Sequence, residues 1–270
     1  MNHDQAKNLR ELVQHKKNES NEKKCMNPKK IIFTGVSEGV GNTTAIVNIS
    51  HILSNLGYKV IILDCNSGFI TTDTLFKIRP NYDTSLLLTE DYELKDIVTN
   101  VNKNIDVIYI SKIIRDVERY TNNHNILNSK INELLNYADF ILIDIDYSLL
   151  NERSYLIDDK SNIVITCNPN NKNLKEAYCA IKYLFSINNY KTLRIMFNRV
   201  KDFSILTEIF NRLESATDQF LGKRIEKIGY MSSDLQILNH LKGQNLTTLN
   251  DISSKTIEEV RKIVDNIVKL

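Results

Sequence analysis

The sequence is most informative at Ile31-Ile-Phe-Thr-Gly-Val-Ser-Glu-Gly-Val-Gly-Asn-Thr-Thr44, where an apolar run of strand length passes through glycines into a helical pattern. This is the layout of a phosphate-binding loop, in which glycines let backbone N–H groups close around an anion and a hydroxyl residue, here Thr43, ligates Mg²⁺. The lysine of such loops is replaced by Asn42. An amide brings no full charge to a phosphate, so we expect phosphate affinity without fast phosphoryl transfer. The residues predicted to bind a nucleotide are Ser37, Glu38, Gly39, Val40, Gly41, Asn42, Thr43 and Thr44.

The composition is that of a chain that can bury a full core, with 270 residues of which 42% are hydrophobic and 25% charged. A net charge of +2 gives no reason to expect nucleic acid as a partner. No apolar stretch approaches the roughly 18 residues of a membrane-spanning helix, and the polar start is not a secretory signal. The four cysteines lack metal-like spacing and are expected to be reduced and structural. We expect a cytoplasmic protein.

The chain divides near residue 28. Residues 1–28 are mostly polar, and their apolar side chains Leu9, Leu12 and Val13 have helical spacing, which predicts a short amphipathic helix and a flexible linker. In residues 29–270, Ile- and Val-rich runs of strand length alternate with helical patterns. This alternation predicts one doubly wound α/β domain with a mostly parallel sheet and helices on both faces. The predicted strands are 29–36, 59–64, 105–110, 140–144, 163–167, 193–198 and 227–231.

Polar residues follow several of these strands, at the end of a parallel sheet where ligands bind. Asp64 and Asn66 follow the second predicted strand, Asp144 ends the fourth, and Asn198 with Arg199 ends the sixth. We expect them to converge with the glycine loop on one site. The alternative is that Asp64 and Asp144 only cap helices or solvate strand ends.

Together these separated motifs resemble the MinD/ParA class of deviant-Walker ATPases and, within it, the FlhG-type regulators of flagellar number and placement. The class loop reads Lys-Gly-Gly-x-Gly-Lys-Thr-Thr, which places Ser37 at the signature lysine that reaches across a dimer and Asn42 at the phosphate lysine. The resemblance implies ATP or ADP with Mg²⁺ as the ligand. It also implies that Thr43 and Asp144 hold the metal and that Asn198 and Arg199 lie on the adenine side.

The departures from the class lie around the γ-phosphate. The catalytic positions of the class fall on Asp64, Asn66 and Asp144, and the acidic residue to which the resemblance assigns the activation of water is Asn66, an amide and a poor general base. The small turn expected after Asp144 has the bulkier residues 145–148, which should obstruct the γ-phosphate. We therefore assign no catalytic residue and expect impaired or absent hydrolysis, as in a pseudo-ATPase. An active ATPase with a lysine from another position or chain, and a scaffold without nucleotide, stay open.

The N-terminal stretch Asp4-Gln5-Ala6-Lys7-Asn8-Leu9-Arg10 resembles the Asp-Gln-Ala-x-x-Leu-Arg element ahead of the ATPase domain in the FlhG type. The resemblance implies that this element binds an FlhF-type signal-recognition GTPase and promotes its GTP hydrolysis. The implied contact residues are Asp4, Gln5, Ala6, Leu9 and Arg10. A frayed tail is the alternative, and contact with flagellar switch proteins stays open.

The C-terminal residues 256–270 carry one apolar helical face, formed by Ile257, Val260, Val264, Ile267 and Val268. We favour a helix docked on the domain's own core over a weak, peripheral contact with the inner face of the membrane, because the charges are mixed and aromatic residues are absent. Because Ser37 cannot pair with the phosphates of a second subunit, we also expect a monomer that ATP does not convert into a dimer.

Overall fold

The computed structural model describes residues 28–66, 71–80, 94–110, 121–151, 153–157, 161–187, 192–233 and 254–270. The strands β1 to β8 span Lys29–Gly35, Val60–Asp64, Thr99–Asn102, Ile105–Tyr109, Phe140–Asp146, Asn162–Cys167, Thr192–Val200 and Arg224–Ser232. The helices α1 to α8 span Asn42–Asn55, Thr72–Phe76, Leu94–Ile97, Thr121–Glu133, Tyr147–Leu150, Asn171–Ile187, Leu206–Leu221 and Ser254–Val268. Short 3₁₀ turns lie at Leu134–Asn136 and Ser154–Leu156.

The eight strands form one sheet in the order β3-β4-β2-β5-β1-β6-β7-β8. Every pair is parallel except β3 with β4, which is antiparallel. Since β1 lies between β5 and β6, the loop that follows β1 opens at the centre of the sheet's carboxyl edge. The predicted doubly wound α/β fold is confirmed.

Helices cover both faces of the sheet, and alternate strand residues supply the two apolar layers. In β1, Ile32 packs into the layer under α4, α6 and α7, whereas Ile31 and Phe33 pack into the layer under α1 and α8. This two-sided burial is why the central strands are continuous apolar runs rather than alternating ones. Cys65 and Cys167 are buried free thiols, as predicted for structural cysteines.

Two strand predictions were wrong. The strand β3, Thr99–Asn102, was not predicted because three of its four residues are polar; it is an antiparallel edge strand. The strand β5 was expected to end at Asp144 and be followed by a turn over residues 145–148. It continues to Asp146, because Ile145 and Asp146 stay in register with Thr34 and Gly35 of β1, and α5 follows at once.

The C-terminal helix α8 packs against β8 and α1. Its residues Val260, Ile263, Val264 and Ile267 are buried in the layer that α1 shares. The docked arrangement is the one observed, so the apolar face proposed for membrane contact is used inside the protein. Within the described ranges, every helix is too short or too polar to cross a bilayer. The N-terminal residues 1–27, which carry the predicted partner element, lie outside the described residues.

Candidate functional site

The loop from β1 to α1 is shaped by close backbone packing. Gly41 has a left-handed backbone with φ of 90°, and a Cβ placed on it would meet Asn198 Nδ2 at 2.3 Å. A Cβ on Gly35 would meet Val40 Cγ1 at 2.8 Å. Side chains at these two positions would force the loop to open, so the glycines fix its path between β1 and β7.

The start of α1 offers backbone N–H groups to an anion. The helix ladder begins with the N–H of Ala45, which donates to the Gly41 carbonyl at 3.0 Å. The N–H groups of Asn42, Thr43 and Thr44 precede that bond and have no carbonyl partner within the helix. The first turn itself has no acidic residue and no side-chain cap, so none of its own side chains neutralises the positive end of the helix dipole.

The Asn42 side chain faces the sheet rather than the mouth of the loop. Its Nδ2 donates to Asp144 Oδ1 at 2.7 Å and to the Phe33 carbonyl at 3.1 Å, and its Oδ1 accepts from Thr166 Oγ1 at 2.7 Å. The residue is buried, with 4% of its surface exposed. A short amide here reaches partners on β1, β5 and β6, and its side-chain hydrogen-bonding atoms are used there. The assignment of Asn42 to the nucleotide site stays a prediction.

Two carboxylates lie side by side at the carboxyl ends of β2 and β5. Asp64 and Asp144 are register partners and both are fully buried. Burial raises the pKa of Asp144, the charge of Asp64 raises it further, and the side chains of Thr43 and Asn42 act in the opposite direction. Asp144 Oδ2 is buried without a hydrogen-bond partner. A buried oxygen without a hydrogen-bond partner is one that a bound cation would satisfy, so the prediction that Thr43 and Asp144 hold Mg²⁺ stays open.

Asp64 is held by its own neighbours. Its Oδ2 accepts from the N–H and the hydroxyl of Thr72 at 3.0 and 2.7 Å, and its Oδ1 accepts from the Asn66 N–H at 3.0 Å. Burial raises the pKa of Asp64, and these hydrogen bonds lower it. Asp64 therefore organises the loop after β2, in keeping with the structural alternative considered for it.

The loops that follow β2 and β5 are cross-linked. Asn66 Oδ1 accepts the N–H of Asp146 at 2.9 Å, and Arg153 Nη1 donates to the Cys65 carbonyl at 2.6 Å. The position assigned to the activation of water thus holds an amide that anchors the backbone. Burial and the charges of Glu38 and Asp64 raise the pKa of Asp146, whereas Arg153 lowers it.

Asn198 and Arg199 were expected on the adenine side. Asn198 Nδ2 donates to the Val40 and Gly41 carbonyls at 2.9 and 3.3 Å, so this side chain holds the loop against β7. Arg199 is exposed, with a φ of 55°. The amide supports the loop in this structure, and Arg199 is accessible at the end of β7. The assignment of the two residues to the adenine side stays a prediction.

Of the remaining loop residues, Glu38 and Gly39 are exposed, Val40 is buried, and Thr43 and Thr44 are half-buried. Ser37 Oγ accepts from Asn173 Nδ2 at 3.0 Å, and this hydrogen bond joins the loop to α6, the helix that follows β6. In the part of the chain that the structure describes, no three His, Cys, Asp or Glu side chains cluster as metal ligands do. A metal here would take its other ligands from a phosphate or water.

Sequence reasoning missed four residues of the site: Thr72, Arg153, Thr166 and Asn173. Thr166 lies near the carboxyl end of β6, where the rule used for the other strands would have found it. Arg153 and Asn173 carry no local signal, because their partners are distant in sequence.

Comparison with known proteins finds a family and a relative that this chain resembles. Residues 28–191 match the model of an AAA domain family, AAA_31. The antiactivator FleN of Pseudomonas aeruginosa is 20% identical over 221 residues, covering 81% of this chain and 79% of its own length.

Two solved structures have the same fold. MinD from the MinC:MinD cell division protein complex of Aquifex aeolicus superposes with a TM-score of 0.68 at 18% identity, covering 90% of this chain and 96% of its own. The septum site-determining protein MinD of Pyrococcus horikoshii, complexed with Mg-ADP, superposes with a TM-score of 0.67 at 16% identity, covering 90% of this chain and 96% of its own.

Proposed function

We propose that this chain is an FlhG-like regulator that binds nucleotide but hydrolyses it slowly or not at all. The chain belongs to the AAA domain family AAA_31 and to the MinD/ParA class of P-loop ATPases. The observation that carries the proposal is the use of Asn42 and Asn66 in internal hydrogen bonds. Neither position offers a cation to the phosphates or a base to water. The similarity to an antiactivator, FleN, supports a regulatory role.

The residues that would hold a nucleotide are those of the loop and the start of α1, and the base would lie beside Arg199 of β7, as the class resemblance implies. The N–H groups of Asn42, Thr43 and Thr44 at the start of α1 would take phosphate oxygens, and Thr43 with Asp144 would hold Mg²⁺. The metal would neutralise the buried Asp64–Asp144 pair as well as the phosphates. MinD of Pyrococcus horikoshii, which has the same fold, carries Mg-ADP.

Slow hydrolysis follows from charge. Phosphoryl transfer depends on positive groups placed where negative charge develops in the transition state, and catalysis of this reaction is mostly positioning and electrostatics. Around this loop, Glu38, Asp64, Asp144 and Asp146 are acidic, and the nearby cation Arg153 donates to the Cys65 carbonyl. The class lysines are replaced by Ser37 and Asn42.

The regulatory output is proposed to run through the N-terminal element, residues 4–10, toward an FlhF-type GTPase. A short segment with an apolar stripe gains order when that stripe enters a groove on a partner. This part of the proposal stands on the sequence resemblance and on the similarity to FleN.

Two measurements test the proposal. Calorimetric titration of the full chain with ATP, ADP and a non-hydrolysable analogue, each with Mg²⁺, should show binding, while phosphate release stays near the buffer rate. Asn42→Lys should not restore turnover, because Asn66 remains an amide and Asp146 remains an acid. Robust Mg²⁺-dependent phosphate release by the wild type would favour the active ATPase, and absence of binding would favour the nucleotide-free scaffold.

The partner is tested with a peptide of residues 1–20. It should raise the GTPase rate of the FlhF homologue from the same organism, and the Gln5→Ala peptide should not. A scrambled peptide of equal charge controls for non-specific effects. Equal rates with and without the wild-type peptide would remove the partner from the proposal.

A further inference from the structure

Asp146 places a carboxylate at one side of the phosphate loop. It is the last residue of β5 and lies in register with Gly35, the last residue of β1 before the loop. Its charged neighbours are Glu38 from the loop itself, Asp64 from β2 and Arg153. Two of these three neighbours are acidic, so a negative group that approaches this corner meets net repulsion.

The position of Asp146 is fixed from the backbone. Its N–H donates to Asn66 Oδ1 at 2.9 Å, and the residue immediately precedes α5. Arg153, the positive neighbour, donates from Nη1 to the Cys65 carbonyl at 2.6 Å and so has a place of its own in the fold. The backbone that carries this carboxylate is therefore held beside the loop by the hydrogen bond between Asn66 and Asp146.

The sheet order tells which end of a nucleotide meets this carboxylate. In the proposed function the base lies beside Arg199 of β7, on one side of β1, whereas Asp146 belongs to β5, on the other side of β1. A polyphosphate that starts near β7 and crosses the start of α1 therefore ends toward β5. Each added phosphate brings its terminal, most highly charged group closer to Asp146 and Glu38.

We propose that Asp146 sets the phosphate number that the site accepts, so that this chain binds a nucleoside diphosphate more tightly than the corresponding triphosphate. This inference rests on the proposed nucleotide binding and names the ligand of the same site. A phosphate chain of two groups can be held by the N–H groups of α1 and by Mg²⁺ without reaching the acidic corner. Asp146 acts here as a specificity-determining residue.

The test is calorimetric titration of the full chain with Mg-ADP and with a non-hydrolysable Mg-ATP analogue, at equal ionic strength. We expect the wild type to bind ADP about tenfold more tightly. Asp146→Asn keeps the size of the side chain and removes its charge, so it should bring the two affinities within about twofold of each other, mainly by strengthening triphosphate binding. Asp218→Asn, the same chemical change on the exposed side of α7, should leave the ratio at its wild-type value.

A further variant separates charge from size. If Asp146→Gly equalises the two affinities and Asp146→Asn does not, the side chain acts by steric exclusion and the electrostatic inference is wrong. Tighter binding of the triphosphate by the wild type would overturn the inference while the proposed nucleotide binding stands. Absence of binding for both nucleotides would overturn both.

Discussion

Asn42 joins three strands through one small side chain. The amide contacts Phe33 of β1, Asp144 of β5 and Thr166 of β6, all at the point where α1 begins. Its loss would leave a buried carboxylate oxygen, a carbonyl and a hydroxyl each short of a partner, and buried polar groups without partners are costly. Compared with the lysine of the class loop, the amide at this position lacks a charge that could face the ligand and forms a link that stabilises the loop.

We predict that Asn42→Ala lowers the free energy of unfolding by about 2–3 kcal/mol, because several buried polar groups lose a partner at once. The measurement is urea unfolding followed by circular dichroism. Asn48→Ala is the matched control: Asn48 is buried to a similar degree, but its side chain donates to the Thr44 carbonyl of its own helix rather than joining strands, so its loss should cost less. Equal losses for the two variants would contradict the role given to Asn42.

The buried Asp64–Asp144 pair should make stability depend on pH. Burial raises the pKa of Asp144 in the folded chain above its ordinary value of 3.8, so the fold prefers the protonated form. This contribution is fully present below that ordinary value and is lost as pH rises through the raised pKa, because the unfolded chain then binds fewer protons than the folded one.

We therefore predict that Asp144→Asn gains stability relative to the wild type as pH rises from about 5 to about 8.5. The measurement is the difference in the free energy of unfolding between the two proteins across that range, in which the contributions of titrating groups distant from Asp144 cancel. Saturating Mg-ADP should shrink the difference, because a cation beside Asp144 favours its charged form. A constant difference between the two proteins would show that the carboxylate is already ionised in the fold.

Among the secondary-structure elements, α8 depends on a glycine of the strand beneath it. A Cβ on Gly229 of β8 would meet Ile263 Cγ1 at 2.4 Å, and Ile263 is fully buried. Near the start of the helix, Glu259 Oε2 accepts from both the N–H and the hydroxyl of Ser232 at 2.8 Å. The close approach of Gly229 to Ile263 and the hydrogen bonds between Ser232 and the buried Glu259 carboxylate fix α8 on the sheet.

We predict that Gly229→Ala destabilises the fold by about 2 kcal/mol, since α8 must move away from β8 to admit the methyl group. Thermal or urea unfolding measures the loss. Gly57→Ala is the control, because Gly57 also has a positive φ, of 90°, but has open space around its Cβ position. If Gly229→Ala costs no more than Gly57→Ala, the contact between β8 and α8 is not tight.

The elements differ in how far the sequence predicts them. The central strands were predictable because both of their faces are buried, which selects uninterrupted Ile and Val runs. β3 was missed since only Val101 of its residues is apolar, and the continuation of β5 to Asp146 depends on register with β1. Spacing located Asn42 and Asn66 in the site, but their side-chain directions depend on Thr166 and Asp146, at distances along the chain that no local pattern records.

For the whole molecule, the arrangement of charges bears on self-association. Ser37, at the class position for the lysine that reaches a second subunit, is uncharged, half-buried and bound by the Asn173 side chain. Glu38 and Asp146 add negative charge at the same edge of the sheet. Two copies that met through this edge would bring like charges together around the phosphates, which disfavours a nucleotide-bridged dimer.

We predict that the protein is a monomer of 31.2 kDa with or without ATP and Mg²⁺. Size-exclusion chromatography with light scattering measures the mass, and the titrations described above establish that the ATP added is saturating. The variant that combines Ser37→Lys with Asn42→Lys restores both class lysines and is compared with the wild type. If this variant dimerises with ATP and the wild type does not, the missing charges are what keep the chain monomeric. A shift of the wild type to about twice its mass on addition of ATP would contradict the prediction, because a bridging cation would then have to come from another residue.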